Sequence, residues 1–312
     1  HIKKCSDGTI LFDVTYMSNN IGARDDKIYL ENTRNKNNII FIGDSMAEGY
    51  GVDFKNTFKE ILENNNKDIN ILNFSTSGNF GPAQYFLIYE NLAKKFAHDK
   101  VVIFLTTRND YRDNSISRMK SYPQRYRPYI QKNNSGYELI YPIDSFKKEN
   151  FNTVSKNIAY NFSINFLINF TYSANTIKTL RLIFNKEKAQ NPIVNKNIDI
   201  INRGYFAKNI EDINGALYFI EKIFQVAENK KKFIVLIPDK DDLNKINQGH
   251  DYENYYWYEK LKKISRLNEA EIIDLAPILS NYDNNEIYFK CDPHLSPTGN
   301  KIIANILLNK IF

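Results

Sequence analysis

Five short runs of consecutive apolar residues, each followed by a stretch suited to helix, constrain this chain more than any other feature. They are residues 37–43 (NNIIFIG), 69–74 (INILNF), 100–106 (KVVIFLT), 232–238 (KFIVLIP) and 271–275 (EIIDL). A strand with one wet face alternates polar and apolar residues. Unbroken runs rich in Ile and Val suit strands covered on both faces, as in a parallel sheet. Helix-forming stretches lie between and after them, at 47–64, 82–96, 210–228, 252–266 and 297–312. The alternation predicts an α/β fold, a three-layer α/β/α sandwich around a five-stranded parallel sheet with right-handed crossovers. In such sheets chemistry collects outside the carboxyl ends of the strands.

One segment breaks the alternation. Residues 111–205 separate the third run from the helix leading to the fourth, which is too long for a structureless loop. This predicts an insertion with helices of its own, notably around 157–184. The remaining division is an N-terminal extension, 1–36, packing on a core domain, 37–312.

Composition narrows the function classes. With 42% hydrophobic residues in 312, the chain can bury a sizeable core. A net charge of +6 permits an anionic partner but lacks the dense basic face that nucleic acid demands, so no nucleic-acid partner is expected. The two cysteines, Cys5 and Cys291, form no Cys-x-x-Cys pair, so no metal site is expected. Free thiols are the simpler reading. The alternative, in an oxidising compartment, is one disulfide bracing the segment just before Asp292. The most apolar helical candidate, 158–170, is too short to span a membrane and is broken by Asn161, Ser163, Asn165 and Asn169. The chain starts at His1 rather than Met, which leaves room upstream for a leader, a membrane tether or a membrane partner that donates an acyl group. A nucleotide-binding reading is weak, because Gly43, Gly49 and Gly51 do not fit Gly-x-Gly-x-x-Gly and no Gly-Lys-Ser/Thr follows the first run.

Polar residues of an unusual kind sit at three of the strand ends. The first run passes into Gly43-Asp44-Ser45 and then helix formers. A Ser at a strand-to-helix turn exposes its hydroxyl where helix N–H groups favour a developing negative charge. Taken alone, Ser45 reads as a helix cap. The second run is followed by a loop containing Gly78, where an N–H can approach a ligand with no side chain in the way. The third ends in Thr107-Arg108-Asn109-Asp110, which alone is a turn signal. Near the C-terminus, Asp292-Pro293-His294 places a carboxylate two residues before one of only four histidines.

Together, and in this order, Gly43-Asp44-Ser45, Gly78, Asn109-Asp110 and Asp292 with His294 resemble the four blocks of the SGNH/GDSL hydrolase superfamily. The segment Asn19-Asn20-Ile21-Gly22-Ala23-Arg24 resembles a lead-in found in bacterial members. Met46 stands where Leu is usual, Thr107 replaces the Gly of Gly-x-Asn-Asp, and the last block is Asp-x-His rather than Asp-x-x-His. The resemblance implies a flavodoxin-like fold and a serine esterase or O-acyltransferase that needs no cofactor. In it Ser45 is nucleophile, His294 general base and Asp292 the group that orients the imidazole. The N–H groups of Ser45 and Gly78 and the side chain of Asn109 form the oxyanion hole. Asp44, Arg108, Tyr111 and Arg112 flank these strand ends and are the candidates for holding substrate. The insertion opens with Arg112, Arg118, Lys120, Arg125 and Arg127 among Tyr111, Tyr122, Tyr126 and Tyr129, a pattern suited to an acidic glycan. The implied substrate is an O-acylated, typically O-acetylated, surface polysaccharide or peptidoglycan in an extracytoplasmic compartment. The other two function classes are transfer of the acyl group to a glycan, and an inactive glycan-binding module.

Overall fold

The computed structural model describes residues 1–31, 37–116, 127–141 and 204–312. Strands are β1 (Ile2–Lys4), β2 (Ile10–Asp13), β3 (Asn37–Ile42), β4 (Ile69–Asn73), β5 (Lys100–Thr106), β6 (Tyr129–Asn133), β7 (Gly136–Ile140), β8 (Lys231–Ile237) and β9 (Ala270–Asp274). The five apolar runs form one sheet in the order β4-β3-β5-β8-β9, and every pairing in it is parallel. Their continuous apolar character has its expected cause. Every residue after the first in β3, β5 and β8 is buried, so both faces of these strands are covered. The helices Phe58–Asn65 and Pro297–Ile311 pack together. Pro82–Asn91 and Tyr256–Leu267 pack against the long helix Ile210–Val226.

Strand order fixes where a site can form. The chain leaves β3 toward β4 on one side and then crosses back to β5 on the other. The carboxyl ends of β3 and β5 therefore flank a topological switch point, the usual crevice of a doubly wound sheet.

The expected helix at 47–64 is two helices. A first turn, Ser45–Glu48, stops at Gly49, whose φ of +83° is left-handed. A Cβ there would lie 2.5 Å from Cγ2 of Thr57. The chain resumes at Phe58–Asn65, with the Thr57 side chain accepting from the N–H of Glu60. Periodicity alone did not show the break, although the spacing of Gly49 and Gly51 was a signal for it.

The described part of the insertion opens in a short helix, Asp110–Asp113, and continues in strand. Tyr129–Asn133 and Gly136–Ile140 form an antiparallel hairpin, turned at Gly136 with φ +140°. Ile130 packs with Ala83 and Phe219, which seats the hairpin against the helices Pro82–Asn91 and Ile210–Val226. The helices expected around 157–184 lie outside the described residues.

Residues 1–14 form a second hairpin, β1–β2. Its Phe12 and Val14 pack on Val52 and Phe289. Cys5 and Cys291 are joined by a disulfide, so the simpler expectation of free thiols is replaced by the alternative. Among the described residues no helix is long and apolar enough to cross a membrane.

Candidate active site

The nucleophile turn is built by close packing. Gly43 follows β3 where a Cβ would come within 2.7 Å of Ala47 and 2.9 Å of Phe104. Only hydrogen fits, and the turn into Ser45 can therefore press against β5. Asp44 caps the turn, and its Oδ1 accepts from the N–H of Met46 at 3.0 Å and from the Thr106 hydroxyl at 2.8 Å. The far end of the turn is held by Arg24 of the lead-in segment. Its buried guanidinium donates to the carbonyls of Glu48 and Gly49 and to that of Val52 at 2.5 Å, and it stacks on Tyr16 at 4.0 Å. These contacts satisfy carbonyls that a one-turn helix leaves open.

The C-terminal block is held by a short antiparallel bridge between Tyr288 and Leu295. The N–H of Phe289 donates to the His294 carbonyl at 3.0 Å, and that of Ser296 to the Ile287 carbonyl at 2.8 Å. Ser296 then caps the helix Pro297–Ile311 through the N–H of Gly299. Asn300 of that helix accepts from the N–H of Phe58 at 3.1 Å. The loop carrying His294 is thus anchored to the same helical layer that follows Ser45.

The three reactive groups meet. Ser45 Oγ lies 2.7 Å from His294 Nε2, and His294 Nδ1 lies 2.5 Å from Asp292 Oδ1. The backbone N–H of His294 donates to the same oxygen at 2.8 Å. Asp-x-His spacing therefore suffices, because the one intervening residue turns the carboxylate back on the ring. Burial opposes ionisation of Asp292, but the hydrogen bond and charge of His294 and the Lys3 ammonium outweigh it and hold the carboxyl well below the usual range. The imidazole has a wall, since the Tyr50 ring lies against it with centroids 4.3 Å apart. A Ser, a His on its hydroxyl and a buried carboxylate on the far nitrogen have the geometry in which an imidazole can act as base toward the hydroxyl while the carboxylate orients it.

This placement at the sheet's carboxyl edge is the one that the sequence's resemblance to SGNH/GDSL hydrolases implies for Ser45, His294 and Asp292. The remaining residues of that resemblance lie at the neighbouring strand ends. Gly78 is in the loop after β4 with φ +125°, and its carbonyl accepts from Arg127 at 3.2 Å. Asn109 follows β5, and its amide Nδ2 donates to Asp113 at 2.8 Å and to Asp44 and Asp110 at 3.3 Å each. The contact to Asp113 is short, and those to Asp44 and Asp110 are long and correspondingly weak. Asp110 is fully buried, and its carboxyl is pushed well up by burial and then by the charges of Asp44 and Asp113.

Several expected substrate contacts fall elsewhere. Asp44 is 2% exposed and engaged with Met46, Thr106 and Asn109, so it shapes the site from beneath. Tyr111 is a core residue against Trp257, with centroids 5.7 Å apart. Arg108 reaches Asp239 at 3.3 Å with its side chain partly open. Arg112 is half-buried. In the basic and aromatic stretch, Arg127 and Tyr129 are buried, while Arg118, Lys120, Tyr122, Arg125 and Tyr126 lie outside the described residues. A side chain hydrophobic along most of its length, such as Tyr or Arg, satisfies a core position as readily as a binding face. His98 is likewise internal, hydrogen bonded to Tyr89 and Phe96.

Sequence reasoning missed Lys3, Tyr50, Glu48 and Tyr16. An open cleft of about 540 Å³ is lined by His1, Thr15, Tyr16, Glu48, Tyr50 and Ser77, and it shares Tyr50 with the wall of the imidazole. Of its lining residues, Ser77 donates to the Glu48 carboxylate, and burial pushes the Glu48 carboxyl up. Among the described residues no cluster of His, Cys, Asp or Glu could hold a metal ion.

The sequence matches no family model and no curated protein. Solved structures similar to this one include a lipolytic G-D-S-L family member from Veillonella parvula, 15% identical with TM-score 0.42, covering 87% of this chain and 96% of that one. A lipase/acylhydrolase from Enterococcus faecalis is 10% identical with TM-score 0.45, covering 88% and 95%. An acetyl xylan esterase, AlAXEase, is 11% identical with TM-score 0.45, covering 88% and 100%. These likenesses concern the path of the chain, and the chemistry rests on the residues above.

Proposed function

We propose that this chain is a serine-dependent acyl-ester hydrolase acting on O-acetylated carbohydrate in an extracytoplasmic compartment. The observation that carries the reading is the continuous Ser45–His294–Asp292 hydrogen-bonded chain. His294 Nε2 takes the hydroxyl proton as Ser45 Oγ attacks the ester carbonyl. Asp292 keeps the second proton on Nδ1 and stabilises the imidazolium. The N–H of Ser45, at the start of its helix, and the Asn109 amide meet the oxyanion. The alcohol leaves with the proton from His294, and water then repeats the sequence on acyl-Ser45.

Carbohydrate as the leaving alcohol is supported by the cleft that shares Tyr50 with the His294 site. Tyr16 and Tyr50 give it ring faces, and Glu48 and Ser77 give it hydrogen-bonding groups, a combination suited to a sugar's apolar face and its hydroxyls. The Cys5–Cys291 disulfide supports an oxidising compartment. The test is turnover of p-nitrophenyl acetate and of an O-acetylated oligosaccharide, with Ser45→Ala as control. Free acetate should be released from both, faster from the sugar at equal concentration. Acetate appearing on an added acceptor sugar instead would identify acyl transfer, and near-normal turnover by Ser45→Ala would overturn the reading.

A further inference from the structure

We propose that the β1–β2 hairpin is a positioning arm of the triad, with Lys3 holding the Asp292 carboxylate in the orientation that serves His294. The inference rests on the serine-hydrolase reading above. The two oxygens of Asp292 are divided between two sources. Oδ1 takes the ring and backbone N–H of His294. Oδ2 takes the Lys3 ammonium, from 289 positions away. The Asp292 side chain is 1% exposed, so Lys3 supplies a charge that water does not replace when it is lost.

The arm is fixed to this loop at three levels. Cys5 is bonded to Cys291, the residue before Asp292, with Cα atoms 5.8 Å apart. Phe12, opposite Lys3 in the hairpin register, packs on Phe289 at 5.4 Å and on Tyr50 at 5.6 Å. Tyr50 in turn is the wall of the imidazole. A covalent tie, an ion pair and an aromatic contact thus all end on the residues that frame His294. A carboxylate held at one oxygen can rotate about its Cβ–Cγ bond. Held at both, it keeps Oδ1 in line with Nδ1–H as the imidazole gains charge during attack.

Lys3 is a positioning residue, since it acts through Asp292 and not on substrate. Its side chain is 38% exposed, so substitution should not open the core. The test compares wild type, Lys3→Met and Lys3→Arg as full chains, with turnover normalised to the folded fraction from thermal unfolding. Proton NMR of the His294 Nδ1–H reports the geometry without requiring turnover, which separates failure of this inference from failure of the hydrolase reading. In Lys3→Met, kcat should fall about ten-fold with KM within about two-fold, the loss of one charge-assisted contact felt in the transition state. The strongly downfield Nδ1–H resonance should move upfield and broaden. Lys3→Arg should restore both. Unchanged kcat and resonance in Lys3→Met, or Lys3→Arg behaving like Lys3→Met, would overturn the proposal.

Discussion

Oγ of Ser45 and Nε2 of His294 stand 2.7 Å apart although 249 positions separate them. Asp292 completes the chain at 2.5 Å. Asp292→Asn should lower kcat about ten-thousand-fold, because an amide can present N–H to Nδ1 and favour the wrong tautomer. Steady-state kinetics on p-nitrophenyl acetate read this directly. A fall of less than about ten-fold would mean a working Ser-His pair without its acid.

Asn109→Ala should lower kcat about a hundred- to a thousand-fold, the value of one oxyanion donor. The donor at stake is the Asn109 amide, whose contacts to Asp44 and Asp110 are long at 3.3 Å each. KM should change little, since the contact forms with the tetrahedral oxyanion. A loss confined to KM would assign Asn109 to ground-state binding.

How much of this was legible before coordinates is clear at particular residues. All five strands lie within one residue of their apolar runs, because burial on both faces writes itself into sequence directly. The triad was legible because Ser45, Asp292 and His294 carry their chemistry in residue type. The supports were not. Lys3, Arg24 and Tyr50 act through contacts far away in sequence, and a lone Lys in a polar hairpin has no local pattern to mark it. The 47–64 helix was misread because apolar spacing runs through Gly49, while the steric need for a left-handed turn against Thr57 exists only in three dimensions. Tyr111 was misplaced for the converse reason, since beside a strand end an aromatic can turn into the core as easily as out.

The disulfide closes nearly the whole chain, with 286 positions between Cys5 and Cys291. Replacing both by Ser should cost about 2–5 kcal/mol, measured by urea unfolding under non-reducing conditions. An unchanged midpoint would mean that the disulfide contributes nothing to global stability.

Lys59 is 1% exposed, and its ammonium lies 2.7 Å from Asp25, 2.7 Å from Glu60 and 2.8 Å from Glu63. Burial alone would discharge it. The carboxylates of Glu63 and Asp25 outweigh burial and raise its pKa, so it stays charged. Lys59→Met strands buried carboxylates and should destabilise by about 3–5 kcal/mol, read as a lower unfolding midpoint. Stability equal to wild type would show that the cluster is dispensable.

Asp242 gives a pH dependence of definite sign. It is 1% exposed and accepts from the N–H of Tyr205 at 2.9 Å. Burial, and then the Asp239 charge, push its carboxyl up to about 7. The folded state therefore holds a proton that the unfolded state releases near pH 4, and this group's contribution to stability falls as pH rises from about 4 to 7. Asp292 works in the opposite sense. Its folded value is depressed, so its contribution is present above the unfolded value and lost as pH falls below about 4. Asp242→Asn should flatten the decline between about pH 4 and 7 in a series of unfolding curves, and an unaltered slope would contradict the shift.

Covalent labelling tests the central claim most directly. Wild-type protein treated with a fluorophosphonate should gain the mass of a single phosphonyl group, mapped by peptide mass analysis to Ser45, and Ser45→Ala should gain none. Wild-type protein that stays unlabelled while folded, or Ser45→Ala that labels equally, would contradict it.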